Sequence, residues 1–189
     1  MSDDILTIRL AEADEKAELI GIHHRALREL SFGFMKRATV EAFIQSVNTL
    51  EDHLLDDRTY YVVTIGGQIA ACGGWSLRTP GYQTLTKDDT TARHAAVPTI
   101  RAMFVNPDFA RRGIGRRLLG HIESEIRDRR FLEAKLTATP MGRPLYERCG
   151  WSLANSSRLT FPGDQKLLVY NMSKTLAAGD VMHWPRSAA

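Results

Sequence analysis

Cysteine is scarce in this 189-residue chain: Cys72 and Cys149 are too few for a disulfide framework and too far apart for a metal-binding spacing. The six histidines form no His-x-x-x-His pair, so no zinc site is expected. No apolar run approaches the roughly 20 residues of a membrane span. The start, Met1-Ser2-Asp3-Asp4, is acidic where a secretory signal is basic. Charge of one sign is lacking too, with 25 Lys and Arg against 22 Asp and Glu, a net of +3. Composition alone therefore implies no nucleic acid and no membrane as partner. There is no repeat and no low-complexity tract. A cytoplasmic protein is expected, and its 43% hydrophobic and 25% charged content is ordinary for one globular domain.

What is present falls into a clear order. Ile5–Leu10 alternates as a short strand, and Asp14 could cap a helix carrying Leu19, Ile22 or His23, Ala26, Leu27 and Leu30 on one face. The segment Ser31-Phe32-Gly33-Phe34 breaks that period. Thr39 reads as the N-cap of a second amphipathic helix bearing Val40, Phe43, Ile44, Val47 and Leu50. Two strands, Tyr60–Ile65 and Gln68–Trp75, flank the hairpin signal Gly66-Gly67. Residues 76 to 98 are irregular and longer than an ordinary connection. Thr99–Val105 is a candidate central strand, stopped by Asn106-Pro107-Asp108. Ile114, Leu118, Leu119, Ile122 and Ile126 mark a helix buried along one side. A strand near Leu136–Thr139 follows, then a short helix Arg143–Cys149 ended by Gly150, then strands near 153–161 and 166–173. The order β-α-α-β-β-β-α-β-α-β-β predicts an α/β fold (an α+β mixed sheet) with helices on both faces. The domain is expected over residues 5–174, with 175–189 a flexible tail.

The chemistry concentrates in Ala110-Arg111-Arg112-Gly113-Ile114-Gly115-Arg116-Arg117. Glycines let backbone N–H groups approach an anion, and the following helix adds its unpaired N-terminal N–H groups. A dinucleotide-binding fingerprint fits poorly, because Leu118 fills the third glycine's place and a proline separates strand from loop. A P-loop fails because no Lys-Ser/Thr follows the glycines.

This loop, the element order and the later Leu145-Tyr146-Glu147-Arg148-Cys149-Gly150-Trp151 together resemble the GNAT superfamily of acyl-CoA-dependent N-acetyltransferases. The likeness spans roughly Leu6 to Ser173. It implies that Met103, Phe104 and Val105 pair their backbone with the pantetheine arm of acetyl-CoA. Arg111, Arg112, Gly113, Ile114, Gly115 and Arg116 would hold its pyrophosphate. Two positions depart from the family pattern. Ala110 stands where Gln or Arg is usual, and Thr139 stands where Asn is frequent, leaving one hydroxyl for the cofactor. The resemblance assigns Tyr146 as the general acid that protonates the departing thiolate. A hydroxyl of pKa near 10 suits that task when the two groups touch.

The acceptor half is less defined. An amine of pKa near 10.4 is neutral in only about 1 in 2,500 molecules at pH 7, so some group must take its proton. The fourth strand carries no carboxylate for this. His94, Glu29 and a water chain are the candidate bases. Phe32, Phe34, Trp75 and Tyr82 are candidate substrate contacts. Arg101 is either a structural ion pair or the anchor of a substrate carboxylate. The function expected is transfer of an acetyl group from acetyl-CoA to an amine of a small molecule or peptide, by direct attack in a ternary complex and without a metal. The alternative is a non-catalytic CoA-binding sensor or regulatory domain on the same fold. Family members are often dimers, so a homodimer is one expected state.

Overall fold

The computed structural model describes residues 5–81, 85 and 97–176. Seven strands form a mixed sheet: β1 (Leu6–Leu10), β2 (Tyr60–Ile65), β3 (Gln68–Ser76), β4 (Thr99–Val105), β5 (Glu133–Ala138), β6 (Ser152–Phe161) and β7 (Gln165–Thr175). Their spatial order is β1-β2-β3-β4-β5-β7-β6. Every neighbouring pair is antiparallel except β4 and β5, which are parallel. The helices are α1 (Lys16–Leu30), α2 (Arg37–Ser46), α3 (Asp52–Asp56), α4 (Ile114–Asp128) and α5 (Arg143–Arg148).

Strand alternation distributes the core between two faces. Tyr61 and Val63 of β2 pack with Leu118, Leu119, Ile122 and Ile126 of α4. Their neighbours Tyr60 and Val62 point to the opposite face, against Leu19 and Ile22 of α1 and Leu54 of α3. A third cluster sets Val47, with Phe43 and Ala42 of α2, against Leu159, Phe161, Leu167 and Val169 of β6 and β7. Helices thus cover both faces, as the element order predicts. Gly66 and Gly67 turn the β2–β3 hairpin with φ of 56° and 80°.

The second helix differs from its sequence reading at both ends. It begins at Arg37, with Lys36 in the cap position, and stops at Ser46 because Val47 turns extended (φ −112°, ψ 121°). Thr39 lies inside it, buried, and its hydroxyl donates to Gln165 Oε1 at 3.1 Å. Leu50 belongs to the segment leading to α3, a five-residue helix too short to carry a legible period. Asp14 is likewise not a cap but the middle of a 3₁₀ turn, Ala13–Glu15. The last strand reaches Thr175 and Leu176 is fully buried, while the residues beyond lie outside those described.

One buried ionic cluster ties α4 to the end of α5 and to β7. Glu123 of α4, 4% exposed, accepts the indole N–H of Trp151 at 2.7 Å and the ammonium of Lys174 in β7 at 2.7 Å. Removing one member of such a set strands the other charge in the interior. Glu123→Ala is therefore expected to lower stability by about 3 kcal/mol or more, read from the urea midpoint. An unchanged midpoint would mean that Lys174 escapes to solvent.

Candidate functional site

The parallel pair that joins the two halves of the sheet is short. Registered pairing between β4 and β5 covers Thr99–Lys135 and Ile100–Leu136 and then stops. Beyond it, β4 continues along β3 to Val105, and β5 continues along β7 to Ala138. The strands diverge, and a cavity of about 130 Å³ lies where they part. Arg101 to Phe104 form one wall, and Thr137 to Thr139 with Met141, Gly142 and Tyr146 form another. The segment from Val47 to Glu51, with Leu27 and Phe43, borders it from the helical side.

Strand β4 is itself irregular here. Gly74 faces Arg101 and Cys72 faces Phe104, so Ala102 and Met103 together oppose Gly73. This is a β-bulge, and Ala102 takes φ of +51°, a region costly for a residue with a Cβ. A side chain at Gly73 would collide with the Met103 sulfur. Tyr60 secures the bulge by donating its hydroxyl to the Ala102 carbonyl at 2.8 Å. Because a trans peptide is planar, this also fixes the Met103 N–H, which points the opposite way.

At the end of β4, Asn106 accepts the Asp108 N–H on its side chain, and its amide donates to the Ile69 carbonyl at 3.0 Å. The loop then reaches Gly113, the N-cap of α4, at φ of +76° with open space where a Cβ would stand. Gly115 serves a different purpose. A Cβ there would press Val105 at 3.2 Å and Leu145 at 3.4 Å, so this glycine lets α4 lie close on β4 and α5. Arg111, Arg112, Gly113 and Arg116 are exposed beside the helix start, whereas Ile114 is buried and offers only its backbone. Arg112 also lies over the Phe109 ring, 5.5 Å from its centre.

Tyr146 is positioned by the way α5 ends. Gly150, at φ of +82°, sends its N–H to the Glu147 carbonyl at 3.1 Å, and Trp151 sends its N–H to the Tyr146 carbonyl at 3.1 Å. These two bonds make a Schellman motif, and the Tyr146 and Trp151 rings meet edge to face at 6.2 Å. The spacing Tyr-x-x-x-Gly-Trp is thus the termination signal that holds the tyrosine ring in the cavity wall. The turn before α5 is fastened by Thr139, whose hydroxyl accepts the Gly142 N–H at 3.3 Å.

A divided strand pair, a bulged β4, a glycine-capped helix and a tyrosine across the gap match one known kind of domain. Residues 56–153 fit the family model of the acetyltransferase (GNAT) domain. The chain belongs to the GNAT acetyltransferases. Solved GNAT structures share its fold at low identity. A GCN5-related N-acetyltransferase of Rhodopseudomonas palustris is 16% identical, with a TM-score of 0.69 over 93% of this chain and 98% of that one. The PaiA N-acetyltransferase of Thermoplasma acidophilum, solved with coenzyme A, is 14% identical, with a TM-score of 0.64 over 90% and 99%. The putative acetyltransferase YncA of Salmonella typhimurium, solved with acetyl-CoA, is 15% identical, with a TM-score of 0.61 over 97% and 99%. No curated protein matches the sequence significantly.

In this GNAT domain the sequence-predicted site residues separate into two groups. Met103, Phe104, Tyr146, Thr139 and Arg101 border the cavity, and Val105 closes the end of β4 under Gly115. Phe32, 91% exposed, and Phe34 sit on the outer turn after α1 and do not line it. Trp75 is buried on the α4 face with the Arg129 guanidinium 4.9 Å from its ring, away from the cavity. Glu29 is half-exposed on α1, paired with Arg25. His94 and Tyr82 lie outside the described residues. Among those described, no group of His, Cys, Asp or Glu could hold a metal ion, and no helix is long and apolar enough to cross a membrane.

Two features at the cavity escape sequence reasoning, the carboxylate that answers Arg101 and the residue stacked behind Phe104. Arg101, 7% exposed, is ion-paired to Glu51 and donates to His53 Nε2 at 3.1 Å. Burial lowers its pKa from 12.5 to about 10, which still leaves it charged at neutral pH. Its charge is thus answered within the protein. Glu51, which also accepts the Gly81 N–H at 3.1 Å, is the carboxylate at the cavity. The second is His23, fully buried behind the cavity wall, with its ring stacked on Phe104 at 4.2 Å. Its Nε2 meets the Tyr60 hydroxyl at 2.9 Å and its Nδ1 meets the Thr49 hydroxyl at 3.1 Å. Burial pushes its pKa down from 6.5 to about 3, so it is neutral in the folded protein.

The unfolded chain binds a proton on His23 across pH 3 to 6.5 that the folded chain does not. The stability tied to neutral His23 is complete above pH 6.5 and is lost as the pH falls towards 3. The advantage of the wild type over His23→Gln in urea midpoint is expected to be largest at pH 7. It shrinks by up to about 1.4 kcal/mol per pH unit on acidification. A difference constant with pH would mean that the ring is not kept neutral by burial.

Proposed function

We propose that this domain, residues 5–174, transfers an acetyl group from acetyl-CoA to an amine that enters the cavity between β4 and β5. The observation that carries the reading is the meeting, in one cavity, of β4 backbone released from its strand partner with the Tyr146 side chain. The residues fit the cofactor. Backbone from Met103 to Val105 is free on the β5 side to pair with the amides of a pantetheine arm, and Gly113 leaves room for a pyrophosphate at the α4 N-terminus. Arg111, Arg112 and Arg116 add positive charge there. The loop's Ala110 has no charge of its own, and adjacent arginines supply it.

When bound, acetyl-CoA supplies the acyl group already activated as a thioester. The N–H of Met103, held by the Tyr60 bond to the preceding carbonyl, is the donor we assign to the acyl oxygen as charge develops there. Tyr146 holds a hydroxyl proton for the sulfur. The amine nitrogen forms the new bond to the acyl carbon as the carbon–sulfur bond breaks. Tyr146 gives its proton to sulfur, and the proton shed by the nitrogen passes to water, from which Tyr146 regains its own. Arg101 takes the structural of its two expected roles, since Glu51 answers its charge. A cytoplasmic setting suits two cysteines that are both free and buried.

The reading is tested by following CoA thiol release from acetyl-CoA over a panel of amines. Tyr146→Phe should lower kcat by about a hundredfold or more with acetyl-CoA affinity little changed. An unchanged kcat across the pH range would remove Tyr146 from the reaction. Gly113→Asp places a side chain at positive φ and an anion beside the pyrophosphate site. It should weaken acetyl-CoA binding by about tenfold or more in calorimetry. Undiminished binding would sink the assignment of this loop.

A further inference from the structure

A buried chain of hydrogen bonds has both ends in the same cavity. The Ala102 carbonyl can only accept, so the Tyr60 hydroxyl, 2.8 Å away, must donate to it. The Tyr60 oxygen then accepts from His23, which places the imidazole proton on Nε2. The Cys72 sulfur, 3.3 Å from Nε2, shares that donor. A neutral imidazole protonated at Nε2 has only a lone pair at Nδ1. Thr49 must therefore spend its hydroxyl proton on His23, and it has only lone pairs left for anything in the cavity it borders. The chain cannot serve as a proton relay, because it ends on a carbonyl that has nowhere to pass a proton.

We infer that Thr49 is an acceptor-binding residue that takes a hydrogen bond from the N–H of the incoming amine, its polarity imposed by His23 and Tyr60, and that the acceptor is a primary amine on a compact apolar or aromatic frame. This rests on the reading of the cavity as the acetyl-transfer site. The frame follows from the rest of the lining. Leu27, Phe43, Val47, Phe104 and Met141 make it apolar. Among the described residues, the charged ones that line it, Arg101 and Glu51, neutralise each other. A second ammonium or a carboxylate on the acceptor would find no counter-charge among the described residues, whereas a single amine finds the Thr49 lone pairs. His23 and Tyr60 are positioning residues. The same bonds that orient Thr49 also hold the bulge at Ala102, so the acceptor wall and the β4 backbone share one support.

The test uses 2-phenylethylamine, benzylamine and isoamylamine as probes, with putrescine and glycine for comparison. Turnover of one of the first three with preference over the last two is expected. Thr49→Val should then raise the KM for that amine about tenfold or more, with kcat and the KM for acetyl-CoA changed little. Thr49→Ser should restore it. Nitrogen NMR of the histidine rings should find His23 protonated at Nε2, a readout independent of turnover. An unchanged amine KM in Thr49→Val, an Nδ1–H tautomer, or preference for putrescine or glycine would overturn the inference. Acetyl-CoA binding without turnover of any of the three apolar amines would also overturn it, leaving the site reading intact. Absence of acetyl-CoA binding would instead overturn the reading on which it rests.

Discussion

Parallel pairing between β4 and β5 ends after Ile100 and Leu136, and most of what is distinctive in the molecule depends on that parting. A parallel sheet normally satisfies its backbone strand to strand. Here β4 keeps its antiparallel bonds to β3 and gives up the other side. Free backbone in a sheet interior is costly unless something takes its place. A peptide-like cofactor arm has the matching donors and acceptors. The bulge at Ala102 and Met103 belongs to the same solution, because it turns one peptide group out of the regular ladder where the chemistry needs it.

Two local signals, far apart in sequence, then converge on the opening. Gly113 starts α4 with a left-handed residue, so the helix N-terminus stands open without a side chain in the way. The ending of α5 through Gly150 and Trp151 pins the Tyr146 carbonyl and packs its ring. Both depend on helix termini, whose unpaired groups are the strongest directional features a backbone offers. The Glu123, Trp151 and Lys174 cluster links these ends in turn, since it joins α4 to the residue that closes α5.

Much of the architecture was legible because local chemistry is strong where it was read. Gly66-Gly67 could only be a tight turn, and the apolar run Thr99–Val105 stopped by Asn106-Pro107 could only be an inner strand. The positions of Gly113, Gly115 and Tyr146 were legible for the same reason, as each is set by a helix end encoded nearby. The acceptor end was not. Glu51 matters through an ion pair with Arg101, 50 residues on, and His23 through Tyr60, Thr49 and Ala102, and no periodicity records such meetings. Phe32 and Phe34, candidate substrate contacts by the family resemblance, lie on an outer turn away from the cavity lining. The ends of α2 were misread because Thr39 has the chemistry of a cap, while tertiary contact with Gln165 placed it inside the helix.

The span of α2 gives the opening a property that strands alone would not. The first four strands come from residues before 106 and the last three from residues after 132. Among the described residues, two residue pairs are all the ladder that joins these halves. Yet α2, from the first half, lies on β6 and β7 of the second, where Phe43 meets Phe161 edge to face at 5.8 Å. The width of the aperture is therefore set by side-chain packing at a distance, not by the fixed spacing of a hydrogen-bonded ladder. Packing can be retuned a methyl group at a time, whereas ladder spacing cannot. Residues such as Leu159 and Val169, outside the cavity lining, can thus alter its width through the packing they share with α2.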